Sequence, residues 1–255
     1  MPSIFQGKNP ARLGAALLAA TLALAGIAWA SRSAPTDKLP DEPLQLLVLA
    51  SAGHQDKALA RLKTLAEGGS SVARRALGQA LVARGTQVQE GLDWLRQAAD
   101  GGDVEADFQL GKFYQNGSPG APSDAAQALR HFTAAAHAGH VGAAYYLGIA
   151  WRNGYGMRAD AGEAARWFLV SAAGGVPAAQ FMLANAYREG DGVARNDAEA
   201  VRLYAEAAER EHPEAVQTLA MAYTNGELGL PKDPEQARHY LMETAHALKH
   251  PALKP

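Results

Sequence analysis

The sequence predicts an all-α protein, an α-solenoid made of antiparallel helix hairpins stacked one on the next. Three observations predict it. The chain of 255 residues is rich in Ala and Gly and poor in aromatic residues. That composition favours close-packed helices over sheet, because Ala is the best helix former and lets helices approach closely. A leucine recurs at Leu77, Leu110, Leu147, Leu183 and Leu219, at spacings of 33, 37, 36 and 36 residues. Around each leucine the same residue types return in phase, which is the signature of a repeat architecture.

Ahead of the repeats, Lys8 and Arg12 precede an uncharged, mostly apolar run from Leu13 to Ala30 that closes on the small residues Ala28 and Ala30. A basic flank, an apolar run and a small-residue end mark a secretory signal, with cleavage expected after Ala30. The run is longer than the usual apolar core of about 7–15 residues. It reaches the lower limit of a spanning helix, roughly 17–25 residues. A cleaved signal and an uncleaved single-span anchor therefore both stay open for residues 1–30. Arg32 and Lys38 lie just beyond the run and weaken the charge asymmetry that sets orientation. Either reading places the body outside the cytoplasm. Residues 31–41 read as a linker, with Pro35 and Pro40 discouraging regular structure. Residues 42–69 read as a degenerate leading hairpin, 70–248 as the repeat array of about five units, and 249–255 as a tail.

Within each unit, Ala stands four residues before the leucine, at Ala73, Ala106, Ala143, Ala179 and Ala215. Four residues after it stands Leu81, Tyr114, Trp151, Tyr187 or Tyr223. At about 100° per residue these three positions form one helical stripe. The residue just after the leucine is small each time (Gly78, Gly111, Gly148, Ala184, Ala220), which leaves room for a partner helix. A turn glycine follows at Gly85, Gly117, Gly154, Gly190 and Gly226, suited to a left-handed helix cap. Asn196 before its helix, and Asp233 followed by Pro234, restart the chain as helix caps. A second helix then carries Leu95, Phe132, Phe168, Tyr204 or Tyr240. One such hairpin cannot bury its own apolar face, so neighbours must stack.

The segments AAYYLGIAWRNGYGMRADAGEAARWFLVSAAGG (143–175) and AQFMLANAYREGDGVARNDAEAVRLYAEAAE (179–209) resemble the Sel1-like repeat family. The period exceeds the 34 residues of the tetratricopeptide repeat, the nearest rival. The first unit lacks the Gly-x-Gly turn, and the last has GELG and Glu243-Thr244 in place of the small pair. Those departures suit capping units. The resemblance implies a right-handed superhelix and an adaptor role, with a curved groove offered to partners.

Positions −2, +2 and +5 from each leucine fall opposite the core stripe and are expected to line that groove. They hold Phe108, Lys112 and Gln115; Tyr145, Ile149 and Arg152; Phe181, Asn185 and Arg188; and Gln217, Met221 and Thr224. An aromatic column (Phe108, Tyr145, Phe181) beside Arg152 and Arg188 has the composition that interface hot spots favour. Packing between neighbouring units is the stronger reading of the three aromatics, and binding stays open beside it. The partner is expected to be an extended peptide or a helix of another protein.

The net charge is −2, and cleavage after Ala30 would remove two basic residues and no acid, leaving −4. A mildly acidic body without a Lys/Arg stripe argues against nucleic-acid binding. The absence of cysteine excludes disulfide scaffolds, thiolate catalysis and zinc ribbons. No phosphate loop, zinc-protease or serine-nucleophile motif occurs. The pairs Gly154/Gly156 and Gly190/Gly192 recur at the repeat period between helices and read as turns. His137 and His140 stand three apart but lack a third ligand nearby. His131 and His239 occupy a position held by Trp94 and Trp167 elsewhere and read as packing residues. Asp160, Asn196 and Asp197 read as helix caps rather than catalytic acids.

The leading expectation is thus an exported or membrane-tethered, non-enzymatic scaffold of the bacterial cell envelope. It takes no cofactor and meets the membrane only through residues 13–30, if these are retained. Two alternatives are an envelope enzyme acting on cell-wall or β-lactam-type substrates, and a cytoplasm-facing regulator held by an uncleaved N-terminal helix.

Overall fold

The computed structural model describes residues 42–51, 55–85, 87–118 and 122–247. The expectations for residues 1–30, 31–41 and 249–255 fall outside the described residues. Among the described residues there is no strand, and no helix is long and apolar enough to cross a membrane.

The chain forms α1 (Glu42–Ser51), α2 (Asp56–Glu67), α3 (Ser71–Arg84), α4 (Val88–Asp100), α5 (Val104–Asn116) and α6 (Ala125–His137). It continues with α7 (Val141–Asn153), α8 (Ala161–Ala173), α9 (Pro177–Glu189), α10 (Asp197–Ala208), α11 (Pro213–Asn225) and α12 (Pro234–Ala247). Helices α3/α4, α5/α6, α7/α8, α9/α10 and α11/α12 are the two arms of the five units. Each second arm also packs on the first arm of the following unit. The core is accordingly a row of apolar patches, the largest running from α8 to α11 around Phe168, Leu183, Tyr204 and Leu219. The leading helices α1 and α2 share a smaller patch with α3, and Arg84 ties them together: it donates to the Ala50 carbonyl at 2.9 Å and to Asp56 at 2.8 Å.

The anchor leucines Leu77, Leu110, Leu147, Leu183 and Leu219 are all buried, as are the alanines four residues before them. The small residue after each leucine has a demonstrable steric cause. A Cβ added at Gly148 would stand 2.7 Å from the Phe168 ring, and one at Gly111 2.6 Å from the Phe132 ring. In units one to three, where that residue is glycine, the second arm therefore lies directly on the backbone of the first.

In units two to five the turn between the two arms is pinned by a backbone bond. The N–H of Asp124, Asp160, Asn196 and Asp233 donates to the carbonyl of Tyr114, Trp151, Tyr187 and Tyr223 at 2.7 to 2.9 Å. The side chains of Asp124, Asp160, Asn196 and Asp233 then cap the second arm by accepting its first free N–H groups. Asp197 is a correction to the sequence reading. It is the first residue of α10, and its carboxylate pairs with Arg195 at 3.0 Å. Asn196 already takes the capping position, so Asp197 has no free N–H within reach of its own. Gly117 also departs from expectation: its φ is +67° but its ψ is −178°, extended rather than left-handed, whereas Gly85, Gly154, Gly190 and Gly226 are left-handed.

Candidate partner-binding face

The first arms α5, α7, α9 and α11 present the −2, +2 and +5 positions, and the structure divides them sharply. Phe108 is buried at 5% exposure, stacked on His140 at 4.1 Å and tilted against Phe132 at 6.1 Å. Phe181 is half-buried and stacks on His212 at 4.9 Å. Tyr145 is half-buried with its edge to Tyr146 at 5.4 Å, and Gln217 is exposed. The aromatic column is therefore largely cement between units: the −2 aromatic of one unit meets the residue seven before the leucine of the next. That residue is His140 for Phe108 and His212 for Phe181, while Tyr145 tilts against Phe168 at 6.2 Å.

At position +2, Lys112 lies 5.3 Å over the Phe108 ring. Ile149 is half-buried and Met221 exposed. Asn185 accepts a hydrogen bond from the Tyr204 hydroxyl at 2.5 Å, which ties its amide to a core side chain. At position +5, Gln115 and Arg152 are exposed, Arg188 is half-buried, and exposed Thr224 bonds back to the Ala220 carbonyl at 2.7 Å.

Sequence reasoning missed that the +5 residue of one unit faces the +8 residue of the next across the seam between them. At the seam of units three and four, Arg152 donates to the Met182 sulfur at 2.9 Å, and Asp191 lines the same cleft. The cavity left at that place is about 50 Å³, and a separate opening of about 470 Å³ lies elsewhere between the same two units, lined by Arg166, Leu169, Leu183 and Tyr187. At the seam of units four and five, Arg188 stands beside Glu189, Tyr204 and Glu227. The hydrogen bond it donates to Glu189 leads the effects that raise its pKa, and the charges of Tyr204 and Glu227 add to them. At the seam of units two and three the equivalent residues are Gln115 and Tyr155. There a cavity of about 250 Å³ stays open, walled by Ala128, Leu129, Phe132, Tyr146 and Ile149. Two seams carry an arginine with an acid opposite, and the one between units two and three carries neither charge.

His131, His137 and His140 are held in structural contacts. His131 is buried and hydrogen-bonded to Asp107 at 2.8 Å, while its ring lies parallel to Tyr114. His140 caps α7 by accepting from Ala143 N–H, and its other nitrogen meets Glu105 at 3.1 Å. That partner helps to lower the Glu105 pKa, against the desolvation that raises it. His137 packs edge-on against Trp167 at 5.1 Å, so His137 and His140 do not converge. Among the described residues no group of three or more His, Cys, Asp or Glu side chains is placed to hold a metal ion.

Comparison with known proteins agrees with this geometry. A sequence model described as "Sel1 repeat" matches residues 76–103, 104–140, 141–176, 177–212 and 213–241, one match for each anchor leucine. A search of curated proteins returns no match. Among solved structures, the chain is similar to a protective antigen of uropathogenic Escherichia coli with an SLR fold, at 32% identity and a TM-score of 0.69. The match covers 74% of this chain but only 41% of that one, so the chain spans less than half of that protein. A Sel1 repeat protein of Oxalobacter formigenes is 25% identical, with a TM-score of 0.66 over 80% of this chain and 83% of that one. An immunity protein of Pseudomonas aeruginosa shares the fold alone, at 16% identity and a TM-score of 0.56 over 88% and 87% of the two chains.

Proposed function

The chain belongs to the Sel1 repeat family, and from that premise we propose that it is an exported or membrane-tethered scaffold of the bacterial cell envelope. Proteins of this family generally mediate protein–protein interaction. The finer reading is that a protein partner lies along α5, α7 and α9, with the opening between units two and three as its main contact. One observation carries it: at the matching place between units three and four the array sets Arg152 and Asp191 and leaves about 50 Å³, whereas between units two and three it sets Gln115 and Tyr155 and leaves about 250 Å³. The basic-flanked apolar run of residues 13–30 supports a place outside the cytoplasm, whether that run is cleaved or kept. The face supports a binding role through its apolar walls, with Gln115 and Ser123 as polar contacts.

The test is photo-crosslinking in intact cells. A photoreactive residue replaces Gln115 on the proposed face or Arg166 on the exposed side of α8, and the mature mass is read from the same preparation. Capture of a discrete protein at 115 and not at 166 is expected, together with a mass that reports either cleavage after Ala30 or retention of the run. Equal capture at both positions, or at neither, refutes the face. Protease accessibility in spheroplasts separates this placement from a cytoplasm-facing one.

A further inference from the structure

The seams between units are built to one plan, so the array displays what each is made to hold. Leu129 and Ala165 correspond, as do Phe132 and Phe168, Ile149 and Asn185, and Tyr155 and Asp191, in the clefts of units two/three and three/four. In the second of these the chain supplies the occupant itself. The Arg152 side chain crosses the seam to Met182, with Asp191 on the rim. In the first, Gln115 stands where Arg152 would, and Tyr155 replaces the acid.

A charged visitor meets neither a carboxylate nor a basic side chain among the residues that wall the open cleft, and burying an unpaired charge there is costly. An apolar visitor loses nothing by entering and releases water from the Phe132 and Leu129 surfaces. Size narrows the visitor further. At about 250 Å³ the space lies just below the roughly 300–1,000 Å³ of pockets for free small molecules, and it suits one large side chain. Gln115, exposed at the mouth, can meet the peptide group of an incoming segment with both its donor and its acceptor.

On the scaffold reading above, we infer that the cleft between units two and three receives one bulky uncharged side chain, of the Leu or Phe class, from an extended segment of the partner protein. The next seam, with Arg152 reaching Met182 and Asp191 on the same cleft, is the closed form of the same device. Specificity in the array then resides in which seams are plugged from within.

The probes are N-acetyl-phenylalanine amide, N-acetyl-leucine amide, N-acetyl-arginine amide and N-acetyl-glutamate amide, titrated into the full chain and followed by methyl NMR. The phenylalanine and leucine amides are expected to shift the Ala128, Leu129 and Ala150 methyls at millimolar concentration, with the two charged amides at least tenfold weaker. The double variant Gln115→Arg/Tyr155→Asp copies the closed seam and is expected to abolish those shifts while leaving the remaining methyl spectrum in place. The reverse variant, Arg152→Gln/Asp191→Tyr, is expected to add new shifts at Ala164 and Ala186. An arginine amide that binds as well as the phenylalanine amide overturns the inference. So do shifts that survive in the closed variant when its spectrum is otherwise native. Crosslinking at 115 with no amide preference overturns this inference alone. Amide binding with no partner captured in cells instead overturns the scaffold reading.

Discussion

Gly190 and Gly192 lie in the same turn of unit four, and both have φ of +73°. Alanine at either site must take a left-handed backbone, which costs about 1–2 kcal/mol. The smaller loss of entropy from a stiffer unfolded chain offsets about 0.4–1 kcal/mol of that. The surroundings differ. A Cβ on Gly190 would meet Arg195 at 3.5 Å, an ordinary contact, whereas one on Gly192 would stand 2.1 Å from the Ala161 carbonyl oxygen and 2.8 Å from the Gly162 nitrogen. Those atoms are backbone at the start of α8, so no rotamer change relieves the overlap and unit four must back away from unit three. Overpacking of this kind typically costs about 1–3 kcal/mol. Gly190→Ala is therefore expected to cost about 1 kcal/mol and Gly192→Ala about 2–4 kcal/mol. Urea unfolding followed by far-UV circular dichroism measures both, and their shared turn removes differences in local stability along the array. Hydrogen exchange adds a local readout. The Glu163 amide, which donates to Asp160 at 3.0 Å, should lose protection in the Gly192 variant only. A difference between the variants below about 0.5 kcal/mol would refute the claim that these units touch backbone to backbone.

Three further outcomes follow from other contacts. Asp103 both caps α5 through Ala106 N–H and holds Arg75 in a pair whose side chains are 14% and 8% exposed. Asp103→Ala should thus cost about 2–4 kcal/mol in denaturant unfolding, while Arg202→Ala, an exposed arginine between Glu199 and Glu206, should cost less than about 1 kcal/mol. Burial pushes the His212 imidazole below its ordinary pKa, and Glu214, 3.3 Å away without hydrogen-bond geometry, opposes the shift. The unfolded chain binds that proton more readily, so stability should fall as pH drops through about 6.5 and go on falling until the folded pKa is passed; His212→Gln should flatten that slope in thermal melts. Glu211 has φ of +59° where the equivalent turns use Gly102, Gly139 and Gly175, so Glu211→Gly should raise the unfolding midpoint, by about 0.5 kcal/mol in stability.

The repeat was legible because its reasons are local. Ala, Leu and an aromatic at four-residue steps share a helix face, and Gly148 marks by its own smallness where the Phe168 ring will lie. The caps Asp160 and Asn196 were equally legible, whereas the neighbouring Asp197 misled because one helix start accommodates only one cap. The seams were not legible, since Gln115 and Tyr155 lie forty residues apart and nothing in a single unit announces that they meet. Phe108 shows the same limit. Its angle on α5 is opposite the Leu110 stripe, yet His140 from the next unit covers it. A stacked array has no free side except where the neighbour's side chains end. Once +5 and +8 are known to face each other, the alternation Gln115/Tyr155, Arg152/Asp191, Arg188/Glu227 can be read directly off the repeat alignment.

The glycine contact at Gly192 makes the joints of the array mechanically unequal. Between units three and four, backbone rests on backbone with room for a hydrogen and nothing larger, so that contact has no side chain to yield. Between units two and three the corresponding Gly156 faces only the end of the Leu129 side chain, at 3.2 Å from where a Cβ would stand, and a side chain can rotate away. Leu129 is also a wall of the open cleft. The compliant joint and the vacancy thus coincide, and a visitor entering there pushes against the one seam of the pair that can give.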